Sequence, residues 1–200
     1  MAVVADGMGG HACGDVAAEV VARSVVGHVC EAGAESDPEN LLREAFAFAN
    51  ERVELKRIAL GVRVMGAVAV AALVSESSAW FAWLGDSRGC VVRDGCVAMR
   101  TTDHSLVDDF RQMRTLSAAE ENRYSSAVLR AVMGKAVPDE ASVAHTELMP
   151  GDAVILCSDG LHRNVADLAA LPSDSSKLES FLDGRADKWD DNYTLIRIII

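Results

Sequence analysis

Between residues 64 and 100 the sequence holds four strand-like segments in succession, with no helical pattern between them. Two are apolar runs, Val64 to Val74 and Ser78 to Leu84. The other two, Gly89 to Arg93 and Val97 to Arg100, are joined by Asp94-Gly95, and an Asp-Gly dipeptide between apolar runs is a strong hairpin signal. Consecutive strands of this kind argue against a βαβ repeat, because that fold alternates strands with helices.

Helical patterns lie on both sides of this block of strands. Before it we predict a short strand from Val3 to Ala5, a helix from Gly14 to Cys30, and a second helix that starts at Pro38. After it we predict a partly helical surface excursion from Asp103 to Tyr124, strands at Ser142 to Glu147 and Asp152 to Cys157, helices at Val165 to Leu171 and Lys177 to Leu182, and a buried closing strand from Tyr193 to Ile200. The fold class is therefore α+β, or a layered sandwich.

The composition fits a single globular domain. The chain has 200 residues, half of them hydrophobic, and a formal net charge of -11. Such an acidic chain repels phosphate backbones, which argues against nucleic acid as a partner. The five cysteines form no C-x-x-C pair, and the longest apolar stretch, Val64 to Val74, is too short for a membrane span. We therefore expect a cytoplasmic protein with reduced thiols and no membrane partner.

Two known patterns match by letter, and their context argues against both. Gly7-x-Gly9-x-x-Ala12 has the spacing of a dinucleotide-binding turn, but Asp6 would place its charge where the pyrophosphate binds. Gly85-x-Ser87-x-Gly89 has the spacing of a nucleophile elbow, but that motif turns from a strand into a helix, and here a strand follows. We predict neither a dinucleotide site nor a nucleophilic Ser87.

Four aspartates lie at predicted strand ends: Asp6, Asp86, Asp159 and Asp191. One such aspartate is typical of a turn, since Asp ends strands and caps turns. Four of them, three beside a glycine, favour a shared cation site, because carboxylate and carbonyl oxygens are the ligands that Mg²⁺ and Mn²⁺ prefer. The five histidines show no spacing typical of zinc.

Along the chain the sequence contains the segments VVADGMGGH at residues 3–11, MG at 65–66, LGDSR at 84–88, TDHS at 102–105, GD at 151–152, LCSDGL at 156–161 and DNYT at 191–194. In this order these segments resemble the motifs of the bacterial form of the metal-dependent protein phosphatases of the 2C type. The resemblance implies a four-layer α-β-β-α sandwich, with two antiparallel sheets flanked by helices, as a single catalytic domain over residues 1–200.

The resemblance also implies the residues of the site. Asp6 would bridge two Mn²⁺ or Mg²⁺ ions, Gly7 would add its carbonyl oxygen, and Asp159 and Asp191 would complete the shell of one ion. Asp6, Asp159 and Asp191 would thereby be the catalytic residues. Asp86, together with Asp159, would match a third metal site, and Ser105 to Tyr124 would match the mobile flap beside it.

The activity implied by the resemblance is hydrolysis of phosphoserine and phosphothreonine monoesters in proteins. Two cations a few Å apart activate a water for in-line attack on phosphorus, without a covalent phosphoenzyme. The implied partner is a phosphorylated protein, such as a Ser/Thr kinase or one of its targets.

Departures from the family pattern keep a second interpretation open. Family members begin with two further strands that carry a phosphate-binding arginine and a metal-ligating acid, so the resemblance implies an N-terminally truncated domain, with Arg63, Arg88 and Arg130 as candidates to replace the arginine. The family's Met-Gly-Thr-Thr is here Met65-Gly66-Ala67-Val68. The alternative to an active phosphatase is a noncatalytic 2C-like module that binds a phosphoprotein or another partner without turnover.

Overall fold

The computed structural model describes residues 1–8, 13–33, 36–124, 127–186, 188–189 and 191–200, and within these not the side chains of residues 122 and 186. The end of the first motif, Gly9-Gly10-His11, lies outside the described residues, as does Ala12. The strands are β1 Ala2–Gly7, β2 Ala67–Val74, β3 Ser78–Leu84, β4 Arg88–Arg93, β5 Cys96–Arg100, β6 Ser142–Glu147, β7 Ala153–Cys157 and β8 Leu195–Ile199. The helices are α1 Gly14–Glu31, α2 Pro38–Leu60, α3 Leu106–Met113, α4 Ala118–Tyr124, α5 Asp159–His162 and α6 Ser175–Ala186.

Across the described residues, the strands form two four-stranded antiparallel sheets, in the orders β1-β2-β3-β6 and β5-β4-β7-β8. Helices α1 and α2 pack on the outer face of the first sheet, and α5 and α6 pack on the outer face of the second. The inner faces of the sheets share one apolar layer. The prediction of an α+β four-layer α-β-β-α sandwich is confirmed.

The sequence of β2 is continuously apolar rather than alternating because both faces of this strand are buried. Ala69 and Ala71 face the helices, while Val70 and Ala72 on the opposite face pack into the layer between the sheets. All four are fully buried, because a strand at the centre of a layered sandwich has no face toward water. Alanine on the helix side lets the helices approach the sheet closely.

Local sequence signals fix the ends of several elements as predicted. Helix α2 begins with Pro38 in its first turn, and the Asp37 carboxylate accepts a hydrogen bond of 3.0 Å from the backbone N–H of Asn40. The β4–β5 hairpin turns at Asp94 and Gly95, with φ of 50° and 74°, the left-handed conformation that Asp-Gly turns require.

Three features in the last quarter of the chain differ from what the sequence predicted. The helix predicted from Val165 to Leu171 is only a 3₁₀ turn, Leu168–Ala170, because the Asp167 side chain binds the backbone of Ala169 and Pro172 follows. Helix α5 was not predicted, since four residues are too few for a periodic pattern. Strand β8 is half-buried rather than buried, because it lies at the edge of its sheet.

Among the described residues, no helix is long and apolar enough to cross a membrane.

Candidate active site

The five residues predicted for the site line one cavity of about 430 Å³ between the ends of the two sheets. Asp6 and Gly7 end β1, Asp86 lies in the turn from β3 to β4, and Asp159 is the first residue of α5, directly after β7. Asp191 precedes β8. Met8, Val68 and Arg163 also line this carboxylate cavity, together with Ala127 and Val128.

Backbone contacts hold the ends of β7 and β8 together, and with them Asp159 and Asp191. The Ser158 backbone N–H donates to the Thr194 carbonyl at 3.1 Å, and the Ser158 hydroxyl accepts from the Thr194 N–H at 3.0 Å. Gly160 lies against the Asn192 carbonyl so closely that a Cβ atom would collide with it. Gly7 is confined in the same way against the backbone of Gly14. The spacing of the carboxylates therefore depends on glycines beside them.

Burial and neighbouring carboxylates raise the pKa values of two aspartates in the cavity, Asp6 and Asp86. The pKa of Asp6 is raised from 3.8 to about 7, mainly by burial, then by the charges of Asp159 and Asp191 and by a hydrogen bond with Asp159. The pKa of Asp86 is raised to about 6 by burial and by the charge of Asp159, against the opposing effect of Arg163. A cavity in which carboxylates resist ionisation is one that a bound cation would stabilise.

Arg163 is the cationic side chain among the described residues lining this cavity. Its Nη2 lies 2.9 Å from Oδ2 of Asp159 and 3.2 Å from Oδ2 of Asp86, so one guanidinium bridges the two carboxylates. The sequence patterns did not single out this residue. The sequence signal that could have identified Arg163 is its position four residues after Asp159, because side chains at this spacing meet on one face of a helix.

Asp86 is held through its backbone as well as its side chain. Its carbonyl accepts a hydrogen bond of 2.8 Å from Nε2 of His162, which is buried beneath the site. Burial lowers the pKa of His162, which favours the neutral imidazole. Only 7% of the Asp86 side chain is exposed, so its carboxylate has little freedom to move away from Arg163.

The donor atoms fit a hard divalent cation, but the described carboxylates do not enclose one. Aspartate oxygens and a backbone carbonyl suit Mg²⁺ or Mn²⁺. Within the described residues, no group of three or more His, Cys, Asp or Glu side chains converges as the ligands of a metal ion would. The physical reason lies in the contacts above: Asp159 shares its carboxylate between Asp6 and Arg163, while Asp86 is turned toward Arg163.

The arginines predicted as replacements for a phosphate-binding residue are not among the described residues that line the cavity. Arg88 instead forms a bidentate ion pair with Asp103, with Nε and Nη2 at 2.8 and 2.7 Å from the carboxylate oxygens. Arg63 and Arg130 lie elsewhere on the exposed surface. Val68 lines the cavity where the family pattern has a threonine, so this part of the wall is apolar.

Ser87 is not placed as a nucleophile. Strand β4 follows it directly instead of a helix, and the side chain is 1% exposed with no hydrogen-bond partner for its hydroxyl among the described residues. The prediction that the G-x-S-x-G match is a turn between strands agrees with this geometry.

Comparison with known proteins places these features in a family. Residues 1–192 match the sequence profile of protein phosphatase 2C. The serine/threonine phosphatase stp of Listeria monocytogenes is 31% identical over 170 residues, which cover 82% of this chain and 68% of that protein. The chain belongs to the protein phosphatase 2C family.

Solved structures show the same likeness in three dimensions. The crystal structure of the serine/threonine phosphatase PstP/Ppp of Mycobacterium tuberculosis superimposes with a TM-score of 0.82 at 26% identity, covering 98% of this chain and 86% of that one. The catalytic domain of PstP in complex with two manganese ions gives a TM-score of 0.81 at 28% identity, covering 98% and 85%.

Proposed function

We propose that this protein is a metal-dependent protein serine/threonine phosphatase and that the carboxylate cavity is its active centre. The observation that carries the proposal is that Asp6, Asp86, Asp159 and Asp191, from four separate chain segments, line one cavity. Membership of the protein phosphatase 2C family and the named phosphatases among its relatives favour an enzyme over a noncatalytic binding module.

Asp6, Gly7, Asp159 and Asp191 would hold two divalent cations, Mn²⁺ or Mg²⁺. Three points support this assignment: the donors are hard oxygen atoms, they line one cavity, and the raised pKa of Asp6 marks a place where positive charge is favourable. When bound, such a cation pair lowers the pKa of a water molecule and neutralises the charge on a phosphate. Asp86 as a ligand of a third ion stays a prediction of the resemblance.

The side chains of the cavity support hydrolysis without a covalent intermediate. The described lining residues include no Ser, Thr, Cys or His, so none of them offers a side-chain hydroxyl, thiol or imidazole as a nucleophile. The aspartates would be committed to the cations. Met8 and Val68 would form an apolar wall that limits how the phosphoryl group can enter.

The substrate would be a phosphorylated protein, and we further propose a Ser/Thr kinase or one of its targets. An open cavity between the ends of two sheets admits a side chain on a protein surface. We place the enzyme in the cytoplasm, supported by five cysteines that are all unpaired in the structure.

A protein labelled with ³²P on threonine, mixed with the enzyme and Mn²⁺, tests this mechanism. We expect release of inorganic phosphate with no label on the enzyme after acid quenching. Asp159→Asn should release phosphate at least about 100-fold more slowly, because removing one residue of a catalytic group acting as a unit costs most of its effect. Label retained covalently on the enzyme would overturn the mechanism, and no release by the folded wild type would overturn the function.

A further inference from the structure

Asp86 and Asp159 already share a positive charge supplied by the protein. Nη2 of Arg163 is within 3.2 Å of one oxygen of each carboxylate, so this nitrogen lies between the two groups. A guanidinium keeps its charge at every physiological pH, and it cannot dissociate into solvent as a metal ion can. The Asp86–Arg163–Asp159 triad therefore has its own internal counter-ion.

The position of Arg163 is fixed by the backbone as well as by the ion pairs. The residue follows α5, and its N–H donates to the Asp159 carbonyl at 2.9 Å. Its side chain lines both the carboxylate cavity and a neighbouring cavity of about 500 Å³, as does Asp86. Arg163 and Asp86 thus form the partition between the two cavities.

A divalent ion that bound Asp86 together with Asp159 would have to displace this guanidinium. Displacement would separate the arginine charge from two carboxylates, one of which is buried, so breaking both ion pairs would weaken the net binding of such an ion. Asp86 also has its carbonyl fixed by His162, which keeps the carboxylate beside Arg163.

We propose that Arg163 is a built-in cation that takes the place of a third divalent ion, so that this phosphatase binds two divalent ions at saturation. Asp86 is then a positioning residue that holds Arg163 at the edge of the active centre. The inference rests on the proposed function, because it assumes that Asp6, Gly7, Asp159 and Asp191 hold the other two ions.

The number of Mn²⁺ ions bound at equilibrium tests this inference without measuring activity. The full chain is dialysed against saturating Mn²⁺, and bound metal is measured by elemental analysis against protein concentration. We expect two ions per wild-type chain, three for Arg163→Gln, and two for Arg163→Lys, which keeps the charge. Three ions in the wild type, or two in Arg163→Gln, would overturn the inference.

Variants of Asp86 give a second test that does not depend on Arg163→Gln folding. We expect Asp86→Asn to bind two ions, as the wild type does, and Asp86→Asn combined with Arg163→Gln to bind two instead of three. Loss of one ion in Asp86→Asn alone would show that Asp86 is a ligand, which contradicts the inference. A wild type that binds no Mn²⁺ would instead overturn the proposed function, so the two failures are distinguishable.

Discussion

Asp6 has the most strongly raised pKa of the cavity, because it is partly buried and faces the charges of Asp159 and Asp191. In the absence of metal its charge destabilises the folded state. We expect Asp6→Asn to raise the Tm of the metal-free protein at pH 8 by roughly 2–4 °C, the shift that about 1 kcal/mol produces in a chain of this size.

The same variant should lose its response to metal. Wild type should gain Tm on addition of Mn²⁺, whereas Asp6→Asn should gain little, since it lacks a carboxylate that we propose as a ligand of the cations. Thermal denaturation with EDTA or with Mn²⁺ measures both effects. Asp183→Asn, on the exposed face of α6, is the matched control and should behave as wild type. A metal-free Asp6→Asn that is less stable than wild type would contradict the charge argument.

His104, which is not among the described residues lining the carboxylate cavity, gives stability a pH dependence. The Gly85 N–H donates to its Nδ1 at 3.2 Å, so its Nε2 carries the proton and donates to the Ser142 hydroxyl at 2.9 Å. Burial, and then the charge of Arg130, lower its pKa from 6.5 to about 4. The folded state therefore keeps His104 neutral where the unfolded state takes up a proton, and its contribution to stability is lost as the pH falls from 6.5 toward 4.

Replacing His104 with Gln should remove this pH dependence. At pH 7 we expect a loss of about 1–3 kcal/mol, because glutamine can replace the Nε2 donor but places no acceptor at the Nδ1 position, so the Gly85 N–H loses its hydrogen bond. The difference in unfolding free energy between wild type and His104→Gln should shrink as the pH falls from 6.5 toward 4. Urea denaturation at several pH values in EDTA measures it. A difference that stays constant or grows with acid would contradict the assignment of a neutral imidazole.

At the scale of single elements, the close contact of α5 with the segment before β8 sets the distance between Asp159 and Asp191. Gly160 has no room for a Cβ atom beside the Asn192 carbonyl. We expect Gly160→Ala to push these segments apart and to weaken Mn²⁺ binding at least about 10-fold, measured by calorimetric titration.

A glycine with free space around it serves as the control. Gly27 lies in α1, and among the described residues no heavy atom outside its chain neighbours and the adjacent backbone of the helix lies within 4 Å of the position that an alanine methyl group would take there, so Gly27→Ala should leave Mn²⁺ affinity unchanged. It should stabilise the helix by up to about 1 kcal/mol, the difference in helix propensity between the two residues. Equal Mn²⁺ affinity in Gly160→Ala and wild type would show that the α5 contact does not set the site.

The elements that the sequence predicted best are those with a strong local signal. Strands β3 and β6 have the predicted bounds, and α2 begins at the predicted proline. The 3₁₀ turn before Pro172 and the four-residue α5 were missed, because local hydrogen bonds rather than a periodic pattern define them. For the site, Asp6 and Asp159 could be predicted from strand ends, whereas Arg163 required knowledge of how its side chain meets two distant carboxylates.

At the scale of the whole molecule, the sandwich brings residues far apart in sequence to one end of the two sheets. Asp6 lies on the first sheet and Asp159 follows a strand of the second, so the carboxylate cavity exists only when both sheets are assembled. Metal binding should therefore stabilise the packing of one sheet on the other. Removal of the metal should leave both sheets formed, while the carboxylates in the cavity repel one another.

The most direct test of a metal-dependent phosphatase is the rate of phosphate release from a phosphothreonine peptide as a function of Mn²⁺ concentration. We predict turnover that rises to saturation with Mn²⁺, disappears on addition of EDTA, returns with excess Mn²⁺, and is lost in Asp159→Asn that remains folded. Turnover that persists in EDTA, or a folded wild type with no turnover at any Mn²⁺ concentration, would contradict this function.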